Sequence, residues 1–425
     1  MACLQVAPSG DYFMREGEPF FYLGDTVWMA FCQVPLPQWA EYLHWRKMQG
    51  FTVLQIALFP VMHDTSALSG DMLPFHLNAE GHMDFTRINE GYFERAEQML
   101  AMAVKEGFVP NLHLLWVNYI PDSWASRKMP ESAIPKELLE PVYRYAVRRM
   151  KKFDPIYTIT GDVNFSDPHV EEYAQALLRI VGEEDPGAVT SLHLAPDQVI
   201  PNGLVQNPCL TFYSYQSGHD FLPHDRPAGH AGDFLNYPVK RPIINTEPCY
   251  EGHRHNFREG RHTAFDVRMA AWCSLLSGAK AGIGYGAHGL WSFHRRGQAF
   301  NNAGYSGIPY DASVALRFEG AWDMGLIRYL FEHYGLAEIR PYDRVESAVP
   351  DTAAACLPDR SRIAVYLPYN APLVIREDLR GYRAEMIVLD RRYTVYPDIS
   401  FGETAQIPPH DFNSDVLYLF TREEG

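Results

Sequence analysis

Short apolar runs bounded by glycine, proline and polar clusters recur along the chain. They alternate with stretches whose apolar positions fall at helical spacing. The run "PFFYLGDT" (19–26) is followed by "PQWAEYLHWRKMQG", where Trp39, Leu43 and Met48 fit one helix face and Gly50 supplies a stop. "FTVLQIALFP" (51–60) reads as a strand. "NEGYFERAEQMLAMAVKEG" places Phe93, Ala96, Met99, Leu100, Ala103 and Val104 on one face, an amphipathic helix ended by Gly107. The strands continue with "FVPNLHLLWV" (108–117), "IYTITGDVNF" (156–165), "AVTSLHLAP", "CLTFYSYQSGH" (209–219), "PIINTE" and "AGIGYGAHGLWSF" (281–293). "ELLEPVYRYAVRRMKKF", "HVEEYAQALLRIVGEEDPG" and "DVRMAAWCSLLSGA" read as helices. Eight strand candidates, most with a helix between, predict an α/β fold: a parallel sheet closed into a (β/α)8 TIM barrel. An open doubly wound sheet is the runner-up, and no G-x-G-x-x-G turn supports it.

After Gly335 the period changes. "IAVYLPYNAPLVI", "AEMIVLDRRYTVYP" and "SDVLYLFT" predict strands joined by short turns without helices. The expected organisation is a catalytic barrel over 1–338 and a small C-terminal antiparallel, β-sandwich-like domain over 339–425.

Composition narrows the partners. The 425 residues are 47% hydrophobic, enough for a large core, and carry a formal net charge of -15. No basic stripe is present, which argues against nucleic acid and anionic membranes. Aromatic residues make up 13% and there are 17 histidines, a supply suited to stacking on and hydrogen-bonding a polar ligand. The six cysteines are scattered without a C-x-x-C pair and read as reduced thiols. The first residues lack a basic flank followed by an apolar core, and no run is long enough to span a bilayer, so a cytoplasmic protein is expected.

In a barrel, active-site side chains project from the C-terminal ends of the strands. Strand one ends in Asp25, with Trp28 beyond; strand two carries Gln55; strand three carries His113 and Trp116. Strand four ends in Asp162 and Asn164, and strand five carries His193. Strand six ends in Tyr215, Gln216 and His219, strand seven in Glu247, and strand eight in His288 and Trp291. Glu247 stands out because it closes the apolar run of "RPIINTEPCYE", and a buried carboxylate is costly unless something pairs with it. Asp162 and Glu247 form a candidate catalytic pair. Glycoside hydrolysis uses two carboxyl groups, one protonating the leaving oxygen and one attacking the anomeric carbon or activating water. Their environments must keep one protonated and the other ionised. The remaining rim residues are candidates for substrate binding, through flat aromatic faces and through hydrogen bonds to hydroxyls.

Structural alternatives accompany these assignments. Asp162 is also a favoured residue for capping the helix that follows. Asp25 either binds hydroxyls or pairs with a barrel-mouth histidine. Glu251 reads as a loop-ordering group. The histidine-rich "GHDFLPHDRPAGHAGD" lacks H-E-x-x-H-type spacing, so no metal is expected. "GIGYGAHG" lacks the Lys-Ser/Thr of a phosphate loop; its glycines read as points of close approach. No cofactor is expected.

The stretches "FFYLGDTVW", "FTVLQ", "YTITGD", "YQSGH", "INTEPCYE", "VRMAAWCSLLSGAKAGIGYGAHGLW" and "IPPHDFNSDVLYLF" resemble the apiosidase-like glycoside hydrolases, in order and over nearly the whole chain. The resemblance implies a (β/α)8 barrel with a small β domain, acting on plant-polysaccharide side chains. It puts the acid/base on Asp162 and the nucleophile on Glu247. Thr160 stands where that family often has the first of two glycines. The implied activity is release of a terminal sugar, with furanosides such as apiose or arabinofuranose among the candidates, from a plant-derived oligosaccharide or small glycoside, with retention. A non-catalytic carbohydrate-binding barrel and a metal-dependent hydrolase are the alternatives the fold allows.

Overall fold

In the computed structural model, which describes residues 3–66, 68, 70–220, 226–256 and 259–423, every central strand is buried on both faces and is joined to its neighbours in parallel. The barrel strands are β1 (Tyr22–Thr26), β2 (Val53–Ala57), β3 (Val109–Trp116), β4 (Ile156–Gly161), β5 (Thr190–Ser191), β6 (Tyr213–Gln216), β7 (Ile243–Glu247) and β8 (Gly282–Tyr285). They pair in the order β5-β4-β3-β2-β1-β8-β7-β6. The Thr211 and Phe212 N–H groups, 3.1 and 3.2 Å from the Thr190 carbonyl, bridge the seam between β5 and β6. Both-face burial explains why these strands read as continuous apolar runs rather than alternating ones.

The surrounding helices are α1 (Leu36–Met48), α2 (Glu90–Lys105), α3 (Lys136–Met150), α4 (Val170–Glu184), α5 (Arg226–Leu235), α6 (Ala264–Leu276) and α7 (Glu319–His333). Two expected strands are much shorter than their apolar runs. Only Thr190–Ser191 pairs in "AVTSLHLAP", and only Gly282–Tyr285 in the glycine-rich run. In each case the remainder leaves the ladder at the barrel rim and carries side chains inward or over the mouth.

The floor of the barrel is closed by a hairpin that the sequence pattern did not reveal. Gln5–Val6, Phe13–Arg15 and Glu18–Phe20 form a three-stranded antiparallel sheet. Phe13 inserts against Phe212, ring centroids 5.4 Å apart, and joins Val53, Val109, Ile156 and Ile244 at the strand starts. Above this plug lies a polar layer. Asn111 Nδ2 donates to Tyr22 Oη (2.8 Å), Tyr22 donates to Gln55 Oε1 (3.0 Å), and Thr158 donates to Asn111 Oδ1 (2.8 Å). Gln55 Nε2 donates to Thr26 Oγ1 (2.9 Å) and to the Thr246 carbonyl (3.0 Å). Every amide in this layer is satisfied, as buried polar groups must be.

From Arg340 onward the strands are antiparallel. Arg362–Leu367, Tyr382–Val388 and Val416–Arg422 form the middle of a six-stranded sheet, and a four-stranded sheet accompanies it. Helix α6 lies between barrel and sheet, which is why its sequence is apolar nearly all round. Its Arg268 reaches Asp323 on α7 at 2.7 Å and Asp415 of the C-terminal sheet at 2.7 Å, while Trp272 stacks near Tyr366. Among the described residues no helix is long and apolar enough to cross a membrane.

Candidate active site

Strand alternation decides which rim residues reach the barrel mouth. On β1, Tyr22, Gly24 and Thr26 face inward, so Asp25 faces the helix layer. There it meets Arg46 Nε at 2.7 Å and accepts from Tyr42 Oη at 2.6 Å, both on α1. Asp25 therefore pairs with an arginine behind the sheet, not with a sugar or a mouth histidine. On β6 the same rule turns Tyr215 outward. Its hydroxyl donates to the Pro227 carbonyl (2.7 Å) and its ring stacks on Phe234 of α5. A register shift between Tyr215 and Gln216 then brings Gln216 level with Glu247 and points it inward.

Glu247 ends β7 at the floor of a hollow of 440 Å³. His219 Nδ1 accepts the Tyr250 N–H (3.3 Å), which assigns the proton to Nε2, and Nε2 donates to Glu247 Oε1 at 3.1 Å. His193 Nε2 lies 2.9 Å from Oε2. Burial alone would raise this carboxyl, but the two imidazoles outweigh it and hold the group well below the usual carboxylate range. His193 is itself fixed by Thr160, whose hydroxyl donates to the His193 carbonyl (3.0 Å) and accepts its N–H (3.1 Å). Thr160 thus ties β4 to the segment that follows β5 and carries His193 to Glu247.

Asp162 turns off β4 with φ of +57°, a left-handed conformation that aspartate tolerates better than most residues. Its Oδ1 accepts from Gln216 Nε2 (2.8 Å), Oδ2 lies 3.2 Å from His63 Nε2, and its carbonyl accepts from Trp124 Nε1 (3.2 Å). The preceding Gly161 has no alternative, because a Cβ there would overlap the Trp116 ring. Asp162 and Glu247 line the same hollow. Trp28, Trp116, Trp124 and Trp291 form its apolar walls, and Gln216, His219 and His253 its polar ones.

Several expected contacts do not reach this hollow. Gln55 is committed to the polar layer below. His113 is buried against Trp28 and His193, ring centroids 4.5 and 5.2 Å away, and burial holds its imidazole far below the ordinary histidine range. Asn164 turns the loop, its Oδ1 accepting the Ser166 N–H (2.9 Å) and hydroxyl (2.8 Å). His288 sits behind the wall: Trp291 Nε1 donates to its Nδ1 (3.2 Å), and its Nε2 donates to the Gly307 carbonyl (2.9 Å). It orients the indole. Glu251 stands apart as well, its Oε2 accepting from Tyr285 Oη (2.7 Å) and the Gly320 N–H (3.0 Å). In "GIGYGAHG" a Cβ at Gly286 would overlap the Tyr250 ring, so this glycine admits a pocket wall rather than a phosphate.

The sequence reading did not single out His63, Trp124, Lys128, Tyr250, His253 or Tyr305, all of which line the hollow. His63 follows the end of β2 and Tyr250 lies three residues past Glu247, so proximity to a strand end was the available signal. Of the histidine-rich stretch, residues 221–225 lie outside the described residues. His219 reaches Glu247, while His230 turns to Asp197 at 3.1 Å. A larger hollow, 630 Å³, opens at the opposite end of the barrel beside Glu18, Lys280 and Glu338, and no described histidine or tryptophan lines it. It lies away from the C-terminal ends of the strands, where barrel chemistry is placed.

The fold and its rim define a barrel of the glycoside-hydrolase type. A solved structure titled simply a glycoside hydrolase superposes with a TM-score of 0.82 at 19% identity, covering 99% of this chain and 97% of that one. A family 5 glycoside hydrolase from Bacteroides vulgatus gives 0.82 at 20% identity, with 99% and 93% covered. The likeness extends to a family 5 mannosidase from Rhizomucor miehei, with a TM-score of 0.53 at 11% identity and 79% and 100% covered. Residues 7–338 match the apiosidase-like catalytic domain, so the chain belongs to the apiosidase-like family and is a glycosidase. No curated protein matches it.

Proposed function

We propose that Glu247 is the nucleophile and Asp162 the general acid/base of a retaining glycosidase that removes a terminal sugar, a furanoside in this reading, from a plant-derived oligosaccharide or small glycoside. The catalytic unit is the barrel of residues 1–338, with 339–425 packed beside it. The observation that carries the assignment is the pair of imidazoles on Glu247. A nucleophilic carboxylate must be ionised at working pH, and two nitrogens at 2.9 and 3.1 Å favour that form. Asp162 faces an amide and an imidazole rather than an arginine.

In the first step Asp162 donates its proton to the leaving oxygen as Glu247 attacks the anomeric carbon, forming a glycosyl-enzyme and freeing the aglycone. In the second, Asp162 takes a proton from water, and the resulting oxygen nucleophile displaces Glu247. Tryptophan walls would hold the sugar face, and Gln216 would hydrogen-bond a hydroxyl as well as Asp162. A hollow of 440 Å³ lies near the small end of the usual ligand range, roughly 300–1,000 Å³, which favours a short glycoside. A net charge of -15 disfavours a polyanionic chain.

A panel of aryl furanosides and pyranosides identifies the sugar, and proton NMR of the first-formed product reads the stereochemistry. Retention is expected; an inverted anomer rejects the covalent intermediate. Glu247→Gln should abolish turnover. Asp162→Ala should slow poor leaving groups by roughly 10²–10⁴-fold while sparing activated aryl leaving groups in the first step, with azide restoring the second.

A further inference from the structure

The loop between β7 and α6 folds back on itself. The Gly252 N–H donates to the His262 carbonyl (2.8 Å), the His262 N–H to the His253 carbonyl (2.9 Å), and the His255 N–H to the Gly260 carbonyl (3.1 Å). This pairing sets the rings of His255 and His262 edge to face, 4.4 Å between centroids. Thr263 then caps α6, and Asp266 at its third position accepts the Thr263 N–H (2.6 Å) and hydroxyl (2.8 Å), both on Oδ2. One donor atom each from His255, His262 and Asp266 fall within 4.8 Å of one another.

His262 supplies the second observation. It is buried, and its Nε2 lies 2.9 Å from the His219 carbonyl. A carbonyl only accepts, so Nε2 carries the proton and Nδ1 carries a lone pair. That Nδ1 is buried and meets no donor among the described residues. Leaving a buried acceptor unmade is costly. The arrangement is that of a metal-ligating histidine, whose second nitrogen characteristically donates to a backbone carbonyl or carboxylate. A hollow of 40 Å³ bounded by His262, Asp266 and Cys249 adjoins the cluster, with space for a water beside an ion.

We propose that His255, His262 and Asp266 form a divalent-metal site of the zinc class, separate from the catalytic pocket. Two imidazole nitrogens and one carboxylate suit Zn²⁺, Co²⁺ or Ni²⁺, whereas Ca²⁺ and Mg²⁺ favour all-oxygen sets. His262 presents its Nδ1 lone pair to the ion while its Nε2–H stays on the His219 carbonyl. Its role is structural: it joins the loop after β7 to α6. Through the His262–His219 hydrogen bond it steadies the imidazole that contacts Glu247.

The test uses the full chain, purified without a metal-affinity step, stripped with chelator and titrated with Co²⁺, then with Zn²⁺ in competition. The wild type is expected to take up one equivalent of Co²⁺ with visible ligand-field bands, to lose the bands to Zn²⁺, and to unfold at higher temperature when loaded. His255→Gln and Asp266→Asn are expected to lose this uptake while keeping the circular dichroism of the stripped wild type. No uptake by the wild type, or uptake unchanged in either variant, overturns the proposal. The readout is metal binding, so it stands independently of any glycosidase assay.

Discussion

Glu251→Gln should make the protein more stable near neutral pH and leave it unchanged in acid. Glu251 is buried between β8 and α7. Burial is the chief cause that raises its carboxyl from 4.5 to about 7; the Asp323 charge adds to it, while Tyr285, the Gly320 N–H and Arg46 oppose it. A carboxyl raised in the fold stabilises the protein fully below its unfolded value. That contribution fades as pH rises from 4.5 toward 7, because only the unfolded chain releases the proton there. At about 1.36 kcal/mol per pH unit the loss reaches about 3 kcal/mol and then levels off. Glutamine mimics the protonated acid, and both hydrogen bonds fall on Oε2, which an amide oxygen can replace. Urea unfolding of both proteins across this range, followed by tryptophan fluorescence, measures the difference by linear extrapolation. The variant should gain about 3 kcal/mol relative to wild type between pH 4.5 and pH 7. A pH-independent difference would refute the reasoning. So would a variant that loses ground as pH rises, which would mean Arg46 holds Glu251 charged.

Three further outcomes follow from the geometry. Asp25→Asn strands the buried Arg46 and should cost about 3–5 kcal/mol of stability without changing KM in the folded enzyme; a raised KM with unaltered unfolding would restore a role in substrate binding. His219→Ala removes a donor from Glu247, so that carboxyl rises and the acid limb of the kcat/KM profile should move to higher pH; an unmoved limb rejects the coupling. Asp415→Ala deprives Arg268 of its partner in the C-terminal sheet and should cost about 3–5 kcal/mol in urea unfolding; a surface-like loss below about 1 kcal/mol would show that this pair does not join sheet to barrel.

The chain itself determined the number and order of the barrel strands, since each buried strand needs its own apolar run and each intervening helix its own apolar face. It also marked Asp162 and Glu247, because a charge at the end of such a run is conspicuous and strand ends share one rim. The tertiary structure decided which way each side chain points and what meets it. Asp25 and Tyr215 ended runs as plainly as Glu247 did, yet strand alternation turned both toward helices. The phase of that alternation depends on register, as the shift before Gln216 shows. Partners distant in sequence were invisible for a related reason: His193 and Thr160 contact across two strands, Arg46 reaches back from α1, and His63 arrives at Asp162 from the loop after β2. A local pattern records whether a position is apolar. The field around a carboxylate comes from groups that only the closed barrel brings together.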